Sequence, residues 1–150
     1  MAYEISTTIE IAATPENVWG VLADLASYRH WHPVYQAVNG QLAAGNRLTI
    51  TTAHPASGRA MTATVKVLTA DPNTELRWVS KLAGVTISER TFHLSPAAGG
   101  TSLVQAASYR GLGRSHSRAM IKTVTRIEDS FAAINQAIKE QAEARQRASG

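Results

Sequence analysis

An α+β domain, in which a curved antiparallel sheet of about seven strands wraps around one long C-terminal helix with two short helices after the first strand, is the fold class this sequence predicts. Three observations predict it. Between residues 117 and 146 the apolar side chains Met120, Val124, Ile127, Phe131, Ile134 and Ile138 recur at steps of four and three, which confines them to about 80° of one helix face. Upstream, apolar and polar residues alternate instead in short runs, the period of strands with one wet side. The separators between those runs are short and rich in Gly, Pro, Asn and Asp, and short connections join neighbouring antiparallel strands. A helix with one apolar stripe needs a surface to cover it, and the sheet is the natural partner.

The first strand spans residues 3–12, with Ile5, Thr7, Ile9 and Ile11 on one side and Glu4, Ser6, Thr8 and Glu10 on the other. Thr14, Pro15 and Glu16 then supply an N-cap, a first-position proline and an acidic first turn, followed by Val18, Val21, Leu22 and Leu25 at helical spacing. Asp24 is placed to cap a second short turn through Tyr28. Pro33 closes that helix, because proline disfavours helical backbone in the residue before it. Strands follow over residues 34–39, 47–54, 61–69, 75–82, 85–95 and 101–109. They read as a meander that the first strand joins after the helices. Residues from Ala144 to the end are expected to fray.

Length and composition narrow the function. A chain of 150 residues is expected to form one domain over 1–150, with its core at about 3–142 and no need of disulfides. The absence of cysteine excludes disulfide scaffolds, thiolate metal sites and cysteine nucleophiles. No basic stretch leads into an apolar core at the N-terminus, and no run of about 18 apolar residues occurs. A cytoplasmic protein without stable membrane insertion is therefore expected, as a monomer or homodimer. The net charge of +4 is concentrated in the last helix, where Arg114, Arg118, Lys122 and Arg126 step by four. Without interleaved aromatics or a recognised motif this is read as a solvated face and no nucleic-acid partner is expected.

Alternation assigns Leu48/Ile50, Met61/Ala63/Val65/Val67, Leu76/Trp78/Ser80, Arg90/Phe92/Leu94 and Leu103/Gln105/Ala107/Tyr109 to the helix side of the sheet. Four of these, Ser80, Arg90, Gln105 and Tyr109, are polar or amphipathic. An inward arginine or amide is costly unless paired or hydrated, so a polar network or a cavity is implied.

The order of elements resembles the helix-grip fold of the START/Bet v 1-like (SRPBCC) superfamily, and within it the bacterial polyketide cyclase/dehydrase and lipid-transport group. The carriers are Ile9, Ile11, Ala13, Pro15, Val18 and Trp19 with Asp24 and Tyr28 following, then Trp31-His32-Pro33, the stretch 40–48, Leu76 with Trp78, Thr101 with Leu103, and Tyr109 with Gly111. The resemblance implies a deep, mostly apolar cavity between sheet and long helix, which relatives use for lipids, sterols, polyketides, hormones or aromatic compounds. Two positions depart from its pattern. His32 stands where Asn is common, and Ala107 where many relatives carry Glu, which argues against a carboxylate-dependent activity.

Arg90 and Gln105, inward on adjacent strands, could orient a carbonyl, enolate or carboxylate while Tyr109 exchanges a proton. Equally, Arg90 could reach the rim or pair with Glu89 while Gln105 satisfies backbone groups. Trp31 and His32 either line a cavity mouth or close the end of the core. His30 and His32 would share one side only in extended backbone, and no third ligand stands at metal spacing, so neither metal nor cofactor is expected. Trp78 and Phe92 either stack on a planar ligand or fill the core. The candidate ligand-contact set is Tyr28, Trp31, His32, Met61, Trp78, Ser80, Arg90, Phe92, Gln105, Tyr109, Met120, Val124 and Ile127, with Arg90, Tyr109 and His32 as catalytic candidates. Gly111-Leu112-Gly113 is either a gate or a plain turn. The leading expectation is a carrier or sensor of a small hydrophobic or aromatic molecule, with a cyclase or dehydratase second and an interaction module on the basic helix face third.

Overall fold

The computed structural model describes residues 2–53, 57–110 and 118–149. The chain runs β1 (Ala2–Ile11), α1 (Pro15–Ala23), a 3-10 turn (Leu25–Ser27), α2 (Tyr28–Trp31), β2 (Tyr35–Asn39), β3 (Arg47–Ala53), β4 (Ala60–Asp71), β5 (Glu75–Leu82), β6 (Val85–Ala97), β7 (Gly100–Arg110) and α3 (Arg118–Ser149). All seven strands form one antiparallel sheet ordered β1–β7–β6–β5–β4–β3–β2. The meander is as expected, and β1 joins it beside β7, with Thr7 opposite Gln105.

Local chemistry sets the element ends. Thr14 Oγ1 accepts the Asn17 N–H at 3.3 Å and Pro15 opens α1, which satisfies one of the orphan donors of the first turn. Asp24 precedes the 3-10 turn as expected, but its backbone carbonyl does the capping, accepting from Ser27 N and Oγ. The β6–β7 turn ends at Gly100, where a Cβ would stand 2.1 Å from the Ile11 carbonyl oxygen. Only glycine lets β7 start so close to the end of β1.

The core lies between the concave sheet face and the helices. Leu48, Val67, Leu76, Leu94 and Leu103 rise from the sheet against Val18, Val21 and Leu22 of α1 and Ile134, Ile138 and Ala142 of α3. The stripe on α3 is therefore the buried face at Phe131, Ile134 and Ile138. Ile127 is half-buried, and the side chains of Met120 and Val124 lie outside the described residues, as does the stretch 111–113.

Helix α3 runs past Ala144. It continues to Ser149 because its last turns hold the β1–α1 connection. Gln146 Oε1 accepts from Thr14 N at 3.0 Å and Asn17 Nδ2 at 2.7 Å, and Glu143 accepts from Ala12 N at 2.9 Å while pairing with Lys139. The Lys139 hydrogen bond, followed by the Ala12 N–H, holds the Glu143 carboxyl below its usual range. By backbone proximity α3 packs mainly on α1 and β1. The middle strands are left facing inward with volume to spare.

Candidate functional site

That volume is a cavity of about 210 Å³. Ile50, Ala63, Val65 and Trp78 form its apolar wall, and Tyr35, Thr52, Ser80, Ser88, Glu89, Arg90 and Tyr109 its polar side. A wider groove of about 440 Å³ crosses the outer face of β1, β7 and β6, lined mainly by short side chains such as Ser6, Thr91, Ala106 and Ser108. The inner cavity is where apolar surface and convergent polar groups coincide.

Arg90 is its centre. In register it stands opposite Trp78 on β5 and Ala107 on β7. The small side chain of Ala107 leaves room for the guanidinium, which reaches diagonally to both sides. Nη1 donates to Gln105 Oε1 at 2.9 Å, and Nη2 donates to the Tyr109 hydroxyl at 3.1 Å. The Phe131 ring lies 4.8 Å below Cζ, a cation–π contact. Burial works against the charge, but the phenol oxygens of Tyr35 and Tyr109 outweigh it and hold Arg90 above the ordinary arginine range. Among the described residues no carboxylate pairs with it. Glu89, the partner considered from sequence, is taken by Arg77 at 2.9 Å on the other face.

Gln105 is the buried hub beneath. It is 0% exposed, and its Nε2 donates to Asn135 Oδ1 at 2.6 Å and to the Phe131 carbonyl at 3.4 Å. Asn135 Nδ2 in turn donates to Thr7 Oγ1 at 2.9 Å, and Thr7 donates to the Gln105 carbonyl at 3.3 Å. The chain Thr7–Asn135–Gln105–Arg90–Tyr109 ties β1, α3, β7 and β6 together and sets the guanidinium in place. The Tyr109 hydroxyl accepts from Arg90, which leaves its own proton directed elsewhere. The Tyr109 ring also stacks on Tyr3 with centroids 6.5 Å apart.

At the other end, four aromatic rings cluster. His32 lies between Tyr28, at 5.3 Å, and Tyr35, at 4.2 Å and nearly parallel, with Trp31 tilted beside it. His32 Nδ1 accepts the backbone N–H groups of Val34 (3.1 Å) and Tyr35 (2.9 Å), so its single proton sits on Nε2. Burial, then the nearby Arg90 charge, lowers its pKa from 6.5 to about 3. Burial likewise raises Tyr28 and Tyr35, although Arg90 pulls Tyr35 the other way. Tyr28 donates to the Leu22 carbonyl at 2.5 Å, and Trp31 Nε1 donates to Ser27 Oγ at 2.9 Å.

Of the residues proposed from sequence, Trp78, Ser80, Arg90 and Tyr109 line the cavity, and Gln105 lies directly beneath. Tyr28, Trp31 and His32 stand one layer back, behind Tyr35. Phe92 is core, edge-on to Trp78 at 6.0 Å. Met61 shares the inner face but is 46% exposed, beyond the cavity at the sheet rim. His30 is exposed on helical α2 and shares no side with His32. Among the described residues no three His, Cys, Asp or Glu side chains gather as a metal site. Sequence reasoning missed Tyr35, Ser88 and Asn135. Asn135 had a legible signal, a polar residue four after Phe131 on the dry face.

A family model described as polyketide cyclase/dehydrase and lipid transport matches residues 2–143. Solved structures share the fold. The ZhuI aromatase/cyclase from Streptomyces sp. R1128 superposes with a TM-score of 0.75 at 19% identity, covering 100% of this chain and 99% of its own. The protein of unknown function SA2116 from Staphylococcus aureus gives 0.75 at 9% identity, covering 98% and 97%. The di-domain aromatase/cyclase StfQ from the steffimycin pathway gives 0.75 at 13% identity, covering 97% of this chain and 52% of its own. No curated protein matches the chain in sequence. Among the described residues no helix is long and apolar enough to cross a membrane.

Proposed function

This chain belongs to the polyketide cyclase/dehydrase and lipid-transport family of the START/Bet v 1-like superfamily, and from that premise we propose that it binds a small hydrophobic or aromatic molecule carrying an acidic or carbonyl oxygen, as a carrier or sensor. The observation that carries this reading is Arg90: a charged guanidinium on a largely apolar cavity, with which no carboxylate pairs among the described residues, since the Glu89 carboxylate is held by Arg77. Ala107, directly opposite, carries no charged group that could supply a pairing carboxylate. The ligand's own oxygen then takes the place of that carboxylate, and Trp78, Ile50 and Val65 take its apolar body. A volume of about 210 Å³ suits one or two rings rather than a long acyl chain.

Binding of 2-naphthoate and of neutral 2-acetylnaphthalene, followed by calorimetry, tests it. Arg90→Gln should weaken the acid by about 10- to 100-fold, the worth of a charge-assisted hydrogen bond, and the ketone less. Ala107→Glu, which supplies the missing carboxylate, should remove the preference for the acid. Equal affinities in wild type and Arg90→Gln would overturn the reading.

A second reading is a cyclase or dehydratase acting in the same cavity. Tyr109 favours it, because a hydroxyl that accepts from Arg90 keeps a proton to give to an oxygen held on that guanidinium. Arg90 would stabilise the enolate oxygen and Tyr109 would protonate or release it. Turnover that survives Tyr109→Phe at the wild-type rate removes that role, and recovery of bound ligand unchanged favours the carrier.

A further inference from the structure

The ladder between β4 and β5 stops early. The two strands pair from Asp71 opposite Glu75 only as far as Lys66 opposite Val79. Beyond that point β4 continues on β3 to Ala60, and β5 continues on β6 to Leu82. The β3–β4 and β5–β6 hairpins therefore splay apart, leaving a notch that runs from the sheet rim down to Lys66 and Val79. Both faces of the sheet are hollowed at this notch. The inner cavity and an outer concavity of about 360 Å³ share Val65 as a lining residue, with Ser80 on the inner side and Lys81 on the outer.

The outer concavity is cationic. Arg47, Lys66 and Lys81 line it, all three exposed, and no acidic side chain does. Arg47 and Lys66 are direct register partners, and like charges facing each other across a ladder cost stability. Glu89, opposite Val79, is engaged by Arg77. A repulsive pair kept at the mouth of a notch, with the Glu89 carboxylate on the way offset by Arg77 and an Arg90 guanidinium inside that no carboxylate pairs, leaves an excess of positive charge from the outer face to Arg90.

We propose that the notch between β4 and β5 is the entrance to the cavity, and that Arg47, Lys66 and Lys81 draw an organic anion, a small carboxylate with an apolar body, through it to Arg90. The proposal rests on the cavity-binding reading above and adds the charge and route of the ligand. Fixed charge at a cleft mouth raises the local concentration of the opposite ion and so the rate of access.

A single thiol on the cavity wall reads that access without any natural ligand. The chain has no cysteine, so Ser88→Cys, on the cavity wall, supplies the sole thiol. Its labelling rates with anionic 2-sulfonatoethyl and cationic 2-(trimethylammonio)ethyl methanethiosulfonate, each divided by the rate with a free thiol, should favour the anion by about tenfold. Reversing the mouth with Arg47→Glu, Lys66→Glu and Lys81→Glu should invert that preference. Lys66→Glu alone, which gives Arg47 an opposite charge, reads the same effect should the triple variant not fold. Thr64→Trp, exposed in the outer concavity, should slow both reagents alike. A preference untouched by mouth reversal but lost in Arg90→Gln overturns the entrance and leaves the cavity reading standing. One lost on mouth reversal but kept in Arg90→Gln upholds the entrance and removes the anion site at Arg90. A thiol that reacts with neither reagent, or that Thr64→Trp does not slow, overturns the entrance.

Discussion

Acidification from pH 7 to pH 4 should cost this protein about 3 kcal/mol of folding stability through His32 alone. Above the ordinary histidine value of 6.5 the side chain is neutral whether the chain is folded or not, and it contributes no pH dependence. Below 6.5 the unfolded chain takes up a proton that the folded chain refuses until about pH 3, because burial and then Arg90 lower the folded pKa to about 3. Stability therefore falls as pH falls across that window, by about 1.4 kcal/mol per unit at its steepest. Integrated to pH 4 this gives the figure above, a large share of the roughly 5–15 kcal/mol typical of a domain. His32→Asn is the control, since Asn Oδ1 can accept the Val34 and Tyr35 N–H groups in place of Nδ1 and does not titrate. Carboxylates titrate in both proteins and cancel in the comparison. Urea unfolding of the two at a series of pH values between 7 and 4 measures the difference. Wild type should lose about 3 kcal/mol more than the variant; parallel curves would refute the claim that the fold holds His32 neutral.

Gln105→Leu should cost about 2–3 kcal/mol in urea unfolding, because the apolar side chain leaves the buried Asn135 Oδ1 unpartnered and removes an acceptor from Arg90. A loss under about 0.5 kcal/mol would mean the network is not structural. Ala83→Asn should raise stability by roughly 0.5–1 kcal/mol, since Ala83 (φ 51°) and Gly84 (φ 79°) form a two-residue hairpin turn with both φ angles positive, a conformation that Asn-Gly adopts with less strain than Ala-Gly. Thermal denaturation monitored by circular dichroism reads this shift directly, and a lower melting temperature would count against the turn assignment.

Much of the architecture was legible because its signals are local. The spacing of Phe131, Ile134 and Ile138 and the alternation of Leu76, Trp78 and Ser80 are properties of neighbouring residues, and a wrong register would expose them. Inward-facing Arg90, Gln105 and Tyr109 followed from the same period. Their partners did not. Thr7 and Asn135 are 128 residues apart in the chain, and nothing in either segment shows that they close a network around Gln105. The anchoring of the last helical turns was not legible for the same reason, since the hydrogen bonds that hold Gln146 come from Thr14 and Asn17 at the far end of the chain.

Periodicity by itself therefore determined which elements form and which face of each is dry, because burial acts on every residue of a repeat in the same direction. Tertiary structure decided what the dry side encloses. The approach of α3 to α1 and β1 leaves volume under the middle strands, the small Ala107 leaves Arg90 without a carboxylate, and the end of the β4–β5 ladder at Lys66 and Val79 opens the sheet. Each of these depends on how segments distant in sequence meet, and a pattern of neighbours carries no term for that distance.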